Sequence, residues 1–209
     1  MILKFDHISY SCDNKTDYAK YLPIGYQEVF REMDADNIPC KEKYLQFHSL
    51  KHNILMFMPQ QDGLPIEVTQ YPKVSYYPQV LKFEGNKISW EVADVVSARR
   101  LFLSLGAQED KQDKTVLCIK PFLDKKEVII QLVEHTAQNG MSFLDINGFS
   151  SIGLFVDNIK KYLTKMTEAG FITSAVSSIQ VHGRWMDIAF IEGKNGELIE
   201  LVSIKKEGK

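Results

Sequence analysis

The side chains of this chain that could do chemistry lie mainly in predicted strands. His7 lies in an opening strand pattern, whereas Glu67 and Glu200 each lie between two apolar residues of a closing strand pattern. Because side chains alternate across a strand, each glutamate faces away from its apolar neighbours, either toward water or into a concave surface. Imidazole and carboxylate groups together suit divalent-ion binding or proton transfer. A single histidine on a strand is more often structural, so the surrounding elements must decide between these interpretations.

Other reactive side chains give weaker signals. His48 and His52 flank a turn, and we expect an exposed loop pair there rather than further metal ligands. Arg184 and Trp185 could bind an anionic or planar group, but a surface pair at a strand end is the favoured interpretation. The three cysteines are far apart and lack Cys-x-x-Cys spacing, which supports neither a disulfide framework nor a zinc site. We therefore expect a reduced, cytoplasmic protein.

The composition argues against several classes of protein. With 209 residues, 44% of them hydrophobic, the chain is long enough and apolar enough to bury a core. The 25 Lys and Arg residues nearly balance the 27 Asp and Glu residues, so no basic surface for nucleic acid is expected. No segment approaches the roughly 20 apolar residues that span a membrane. The expected partner is a small-molecule ligand or substrate.

An internal repeat organises the chain. A β-α-β-β-β unit occurs three times, the second time in shortened form, and a basic tail follows: residues 1–72, 80–135, 147–203 and 204–209. The closing hairpins of the outer units align without a gap, so that Ile54–Val68 falls on Asp187–Leu201. This alignment superposes Glu67 on Glu200, and the middle unit carries Gln131 at the same place. The two glutamates are therefore expected to have equivalent positions in the fold.

Turn and cap signals predict the elements within each unit. In the third unit, Asp157-Asn158 caps a helix that ends at Gly170, and Ile172–Val181 then forms one strand. In the first unit, Asp13-Asn14 caps a short helix, and Lys43–Leu50 is an additional extended segment. The predicted linkers between units are Pro72–Gly85 and Thr136–Asn147.

These units predict an α+β fold in which tandem β-α-β-β-β units form curved, cup-like mixed sheets, because one unit cannot bury its own concave face. The pattern resembles the vicinal oxygen chelate superfamily, which includes glyoxalase I, methylmalonyl-CoA epimerase, extradiol dioxygenases and bleomycin-resistance proteins. The opening Phe5-Asp6-His7-Ile8 and the closing Asn195-Gly196-Glu197-Leu198-Ile199-Glu200-Leu201 carry the resemblance, which covers nearly the whole chain.

The resemblance implies a metal site. In this superfamily two units pair into a cup, and the first and last strands of each unit supply the ligands. Carried over to this sequence, His7, Glu67 and Glu200 hold a divalent ion, which is zinc, nickel, manganese or ferrous iron. Glu67 and Glu200 are then the catalytic residues. The unit left over either packs outside the cup or pairs with its copy in a homodimer.

The same comparison implies substrate contacts at three further positions. Ser151 stands where a second histidine is usual in the third unit. Lys87 and Gln131 occupy the matching positions of the middle unit. We expect Ser151, Lys87 and Gln131 to bind substrate rather than metal.

Three functions follow from the resemblance. The first is a metal-dependent lyase, isomerase or epimerase that acts on a small oxygen-rich substrate through an enediolate. The second is a metal-free protein that sequesters a small molecule, as bleomycin-resistance proteins do. The third is an extradiol-type dioxygenase with ferrous iron, which the single matched histidine makes the least favoured.

Overall fold

The computed structural model describes residues 1–75, 81–124, 126–135, 143–181 and 183–205. The first unit comprises β1 (Ile2–Asp13), a 3-10 helix (Tyr18–Tyr21), β2 (Tyr26–Asp36), α1 (Pro39–Glu42), β3 (Lys51–Pro59) and β4 (Ile66–Tyr71). The second comprises β5 (Leu81–Glu84), β6 (Lys87–Val92), α2 (Val95–Leu105), β7 (Gln108–Glu109), β8 (Val116–Ile119) and β9 (Val128–Glu134). The third comprises β10 (Gly148–Val156), α3 (Ile159–Glu168), β11 (Ile172–Thr173), β12 (Ser177–Val181), β13 (Arg184–Glu192) and β14 (Leu198–Ile204).

The first and third units share one sheet. Within the described residues it has nine strands in the order β11-β13-β14-β10-β1-β4-β3-β2, with β12 paired to β13. The opening strands β1 and β10 pair antiparallel at the centre, and each pairs in parallel with the closing strand of its own unit, β4 or β14. The curved, cup-like sheet expected from the sequence is therefore built from the two outer units.

The middle unit packs outside this cup. Its strands form a separate sheet, β5-β6-β9-β8-β7, as far as the described residues go. Trp90 on β6 meets Phe149 on β10 edge to face, with ring centroids 5.0 Å apart. The backbone amides of Phe122 and Leu123 donate to the carbonyls at the start of β1, at 3.0 and 2.9 Å. Of the two arrangements that the sequence allowed, the chain adopts packing outside the cup.

Alternation along the central strands separates an apolar face from a polar one. On β1, Ile8, Tyr10 and Cys12 belong to the hydrophobic core, and His7 and Ser9 alternate with them. The same pattern places core residues on both sides of the glutamate in β4 and in β14. The core therefore lies between the two sheets, while the polar side chains line the concave face.

Local cap signals are read correctly in the third unit and wrongly in the first. The Asn158 side chain accepts from the backbone amide of Lys161, and Gly170 has the positive φ of 83° expected after a helix. In the first unit, however, the 3-10 helix is capped by Asp17, whose side chain accepts from Ala19. The Asp13 side chain instead closes a turn by accepting hydrogen bonds from the backbone amides of Lys15 and Thr16.

Three further predictions about local structure are wrong. The segment Lys43–Leu50 forms turns after α1, not an extended strand. Ile172–Val181 divides into β11 and β12. The predicted linker Pro72–Gly85 contains β5, which pairs with β6. The Asp145 carboxylate, which accepts from the amides of Gln46 and Phe47, holds the first segment in turns through contacts 99 and 98 residues apart. The strands β5 and β12 each pair instead with the next strand of the chain, β6 or β13. None of the described helices is long and apolar enough to cross a membrane.

Candidate metal centre

His7, Glu67 and Glu200 converge at the floor of the cup. One ligand atom from each side chain lies within 4.8 Å of the other two. All three side chains are buried, with 2%, 9% and 5% of their surfaces exposed. The two glutamates, which alternation left facing either water or a concave surface, therefore face the concave surface.

The strand register explains this convergence. Ile8 pairs with Ile66 in the first unit, and Ile152 pairs with Ile199 in the third. These equivalent pairs place the following glutamate of each closing strand, Glu67 or Glu200, on the same face as His7. The sheet thus brings together residues that lie as much as 193 positions apart in the chain.

A β-bulge adds a carboxylate behind His7. The register between β1 and β10 shifts between Phe5 and His7, which makes Asp6 the extra residue of the ladder. Its Oδ2 atom lies 3.1 Å from Nδ1 of His7. A regular strand would turn adjacent side chains to opposite faces, so the bulge is what allows this contact. The Asp6 carboxylate accepts from Nδ1 and directs Nε2 toward the two glutamates.

Nε2 of His7 is buried and has no hydrogen-bond partner among the described residues. It lies 3.6 Å from Oε2 of Glu200. Burial alone lowers the pKa of His7, but the charge of Glu67 and the contacts with Asp6 and Glu200 raise it well above 6.5. Without a metal the imidazole therefore carries a proton, and a bound cation would take the place of that proton.

Glu67 is held in place by two hydroxyl groups. Ser9 Oγ and Thr69 Oγ1 both donate to its Oε1 atom, each at 3.1 Å. Burial raises the pKa of Glu67, but the charges of His7 and Lys41 together with these hydrogen bonds lower it overall. The Glu67 carboxylate is therefore ionised. Its Oε1 accepts both hydrogen bonds, and these fix the orientation of Oε2.

The donor set fits a divalent ion. One imidazole nitrogen without a hydrogen-bond partner and two buried carboxylates match what hard and borderline cations prefer. Two carboxylates balance a double positive charge, and the Asp6 contact orients the imidazole in the manner usual for metal-bound histidine. The residues that could hold the ion are thus His7, Glu67 and Glu200.

The other predicted site residues lie elsewhere. Ser151 has the position on β10 that His7 has on β1; it is fully buried, and its hydroxyl has no partner among the described residues. Lys87 is exposed on β6 in the outer sheet. Gln131 on β9 donates from Nε2 to Thr115 Oγ1 at 2.5 Å. None of the three lines the cup cavity, and the second and third belong to the sheet outside it.

The centre opens into a cavity of about 490 Å³. Its wall includes Lys41 and His52, neither of which was predicted from the sequence as a site residue. His52 is 4% exposed and does not belong to an exposed loop pair as expected. A signal was available for it, because His52, Ile54 and Met56 recur with the period of two along β3. For Lys41, which lies in a polar segment, the sequence contains no such signal.

Trp185 also lines the cavity, with 47% of its surface exposed. Of the surface pair expected from the sequence, only Arg184 fits, because it is exposed and lies outside the cavity. His48 does not line the cavity.

Comparisons with known proteins give similarity in structure but not in sequence. A scan against protein-family models and a search of curated proteins found no match. Among solved structures, the chain is similar to methylmalonyl-CoA epimerase from Mycobacterium tuberculosis at 12% identity, covering 99% of this chain and 91% of that one with a TM-score of 0.45. It is similar to a glyoxalase I mutant from Zea mays at 14% identity, covering 95% of this chain and 67% of that one with a TM-score of 0.39.

A third similar structure is described as a candidate dioxygenase from Bacillus subtilis subsp. subtilis str. 168, with 8% identity and a TM-score of 0.43. The match covers 98% of this chain, which spans 63% of the length of that protein. The fold itself rests on the strand order and register described above.

Proposed function

We propose that this chain is a divalent-metal-dependent lyase, isomerase or epimerase that acts on a small oxygen-rich substrate in the cup. The observation that carries the proposal is the convergence of His7, Glu67 and Glu200 within 4.8 Å at the floor of the cavity. These residues come from three different strands of two units, so no local structural need explains their meeting. Three buried ionisable side chains in contact with a cavity are typical of a functional site.

The metal supplies one part of the chemistry. A zinc, nickel, manganese or ferrous ion held by His7, Glu67 and Glu200 would act as a Lewis acid and stabilise negative charge on substrate oxygens. The protein side chains supply the rest. His7 and Glu67 provide fixed donors, since Asp6 orients the first and two hydroxyl groups orient the second.

Glu200 is the better candidate for moving a proton. No described side chain donates a hydrogen bond to Glu200, whose Oε2 lies 3.6 Å from His7 Nε2, whereas Glu67 Oε1 accepts two. A carboxylate with free oxygens can turn toward the carbon next to a substrate carbonyl and take its proton. We therefore assign Glu67 mainly to holding the ion and Glu200 to proton exchange.

A sequestering protein of the bleomycin-resistance type is the second candidate. It is favoured by Ser151, which occupies on β10 the position of His7 on β1 and lacks a metal-binding side chain. It is also favoured by apolar side chains on the cavity wall, including Phe30, Ile54 and Met56. The dioxygenase reading has less support, because the centre holds one imidazole and not the two of the usual ferrous set.

Metal content tests the proposal first. Untagged protein would be incubated with zinc, nickel, manganese or ferrous ion, dialysed and measured by elemental analysis. We expect about one equivalent of one of these ions, lost in His7→Ala and in Glu67→Ala. Glu197→Gln is the matched control. Glu197 is a buried glutamate directly before β14, the strand of Glu200, and it does not line the cavity. No bound metal in the unaltered protein would reject the enzyme and favour sequestration.

Proton exchange tests the assignment of Glu200. Small 2-oxo and 2-hydroxy carbonyl compounds would be incubated in deuterated buffer with metal-loaded protein, and loss of the proton next to the carbonyl would be followed by NMR. We expect exchange with the unaltered protein and a loss of about 100-fold or more in Glu200→Gln at saturating metal. Equal exchange rates in the two proteins would refute the assignment.

A further inference from the structure

One wall of the cavity carries a buried cation next to a buried neutral ring. Lys41 is 6% exposed and His52 is 4% exposed, and both line the cavity. Among the described residues, Lys41 is the only lysine or arginine that does so. Lysine is rarely buried without a carboxylate partner, because removing its charge from water is costly.

No described carboxylate lies within 4.0 Å of the Lys41 ammonium group. Its charge still reaches the centre, since Lys41 contributes to lowering the pKa of Glu67. The ammonium group therefore lies near the metal-binding residues without being neutralised by direct contact with any of them. A group of opposite charge entering the cavity would supply the missing contact.

Lys41 is held in this position by the packing of its segment. The backbone amide of Cys40 donates to Ser177 Oγ at 3.0 Å. The Tyr44 ring packs against Phe190, with centroids 5.4 Å apart. The Asp145 carboxylate accepts from two consecutive backbone amides after the helix, both at 2.8 Å. A lysine placed by so many long-range contacts is preorganised toward the cavity.

His52 offers a directional donor beside this charge. Its ring is stacked on Tyr71 at 5.5 Å, and neither ring nitrogen has a hydrogen-bond partner among the described residues. Burial and the charge of Lys41 lower its pKa to about 3, so the ring is neutral at ordinary pH. A neutral imidazole has one N–H to donate, and an oxygen anion is the acceptor that would satisfy it.

The remaining wall combines an apolar surface with the exposed acidic residues Glu32 and Asp36 of β2. Ile38, Ile54 and Ile188 form the apolar surface, and Trp185 adds a half-exposed ring. A fully polar ligand would leave this surface without partners. One ammonium group and one neutral donor suit a single negative charge better than the double charge of a phosphate, because the cavity lining already contains the carboxylates of Asp6, Glu32, Asp36, Glu67 and Glu200.

We infer that Lys41 and His52 form an anion subsite that binds the carboxylate of a substrate whose apolar part lies against Ile38, Ile188 and Trp185. This subsite defines the substrate class of the proposed active site. It rests on the proposed function only for the reaction that follows binding, since binding of the carboxylate itself requires no metal. The substrate class is a small carboxylic acid with an apolar body and a separate oxygen pair directed at His7, Glu67 and Glu200.

Binding to metal-stripped protein tests the subsite separately from the metal centre. The probes are 4-phenylbutyrate and its uncharged amide, 4-phenylbutyramide, titrated by calorimetry and by intrinsic tryptophan fluorescence, to which Trp185 and the buried Trp90 both contribute. We expect the carboxylate to bind about tenfold or more tightly than the amide, and this preference to vanish in Lys41→Met. Lys43→Met is the matched control, because Lys43 lies two residues away and pairs at the surface with Glu192.

Several outcomes would overturn the inference. They are equal affinity for acid and amide in the unaltered protein, no saturation by the acid at about 10 mM, and a preference that survives in Lys41→Met. The first two need no variant, so they hold even if Lys41→Met does not fold. His7→Ala separates the proposals: we expect it to lose metal and keep the preference for the acid. If the unaltered protein binds metal but shows no preference for the acid over the amide, the subsite alone is refuted.

Discussion

Gly153 lies directly between His7 and Glu200 on the sheet. It pairs with His7 across β1 and β10 and with Glu200 across β10 and β14. A Cβ atom at this position would lie 2.6 Å from Nδ1 of His7. The imidazole therefore occupies space that any other residue on β10 would fill, and this space lets Nε2 approach Glu200.

Gly153→Ala should displace the His7 ring and weaken metal binding. We expect about a tenfold or greater loss of affinity, and about 1–3 kcal/mol of lost stability from overpacking. Competition with a metal-sensitive dye measures the metal affinity, and urea unfolding of the metal-free protein measures the stability. Ser151→Ala, two residues away on the same strand, should leave the affinity unchanged. An unaltered affinity in Gly153→Ala would show that the ring is free to move.

Asp6 should support the metal through His7 rather than bind it. Removing the carboxylate in Asp6→Ala leaves Nδ1 without an acceptor, and we expect metal affinity to fall about 10- to 100-fold with the stoichiometry unchanged. Asp6→Asn, which keeps an acceptor, should recover part of the loss. Lys4→Met removes the 3.0 Å ion pair with Asp6 and should have little effect. A fall in stoichiometry would indicate that Asp6 is itself a ligand.

His52 should make the protein less stable in mild acid. Its pKa is about 3 in the folded chain against 6.5 for an exposed histidine. As the pH falls below 6.5 the unfolded chain takes up a proton that the folded chain does not take up until about pH 3. The free energy of unfolding therefore decreases across this window, by about 2 kcal/mol near pH 5 from this group.

The measurement for this prediction is chemical unfolding of the unaltered protein and of His52→Gln at about pH 7 and about pH 5. The variant should lose about 2 kcal/mol less than the unaltered protein between these two values. Each comparison is made within one protein, so a constant cost of the substitution cancels. Parallel declines would mean that His52 titrates normally in the folded chain.

The two tryptophans of the chain should differ sharply in their contribution to stability. Trp90 is 1% exposed and packs on Phe102 and Phe149, which joins the outer sheet to the cup. We expect Trp90→Leu to cost about 3 kcal/mol in the free energy of unfolding. Trp185→Leu, at a half-exposed position, should cost about 0.5 kcal/mol or less. Similar costs would contradict the packing of the middle unit against β10.

Much of the fold was predictable because its signals are local. Alternation of apolar residues identified the strands that carry His7, Glu67 and Glu200, and the gap-free alignment of two hairpins made the glutamates equivalent. Turn and cap residues such as Asn158 and Gly170 marked helix ends. Such patterns depend on residues only a few positions apart, and they are readable without knowing any tertiary contact.

The repeat and most strands could be predicted from the sequence pattern, and the resemblance to the superfamily implied the candidate metal ligands. Only the tertiary structure decided that the outer units pair and that the middle unit packs outside them, because the pairing of β1 with β10 joins segments about 140 residues apart. It also decided that Asp6 meets His7 through a bulge and that Lys41 faces the cavity. Burial and orientation at these positions follow from long-range register and packing, which no local pattern records.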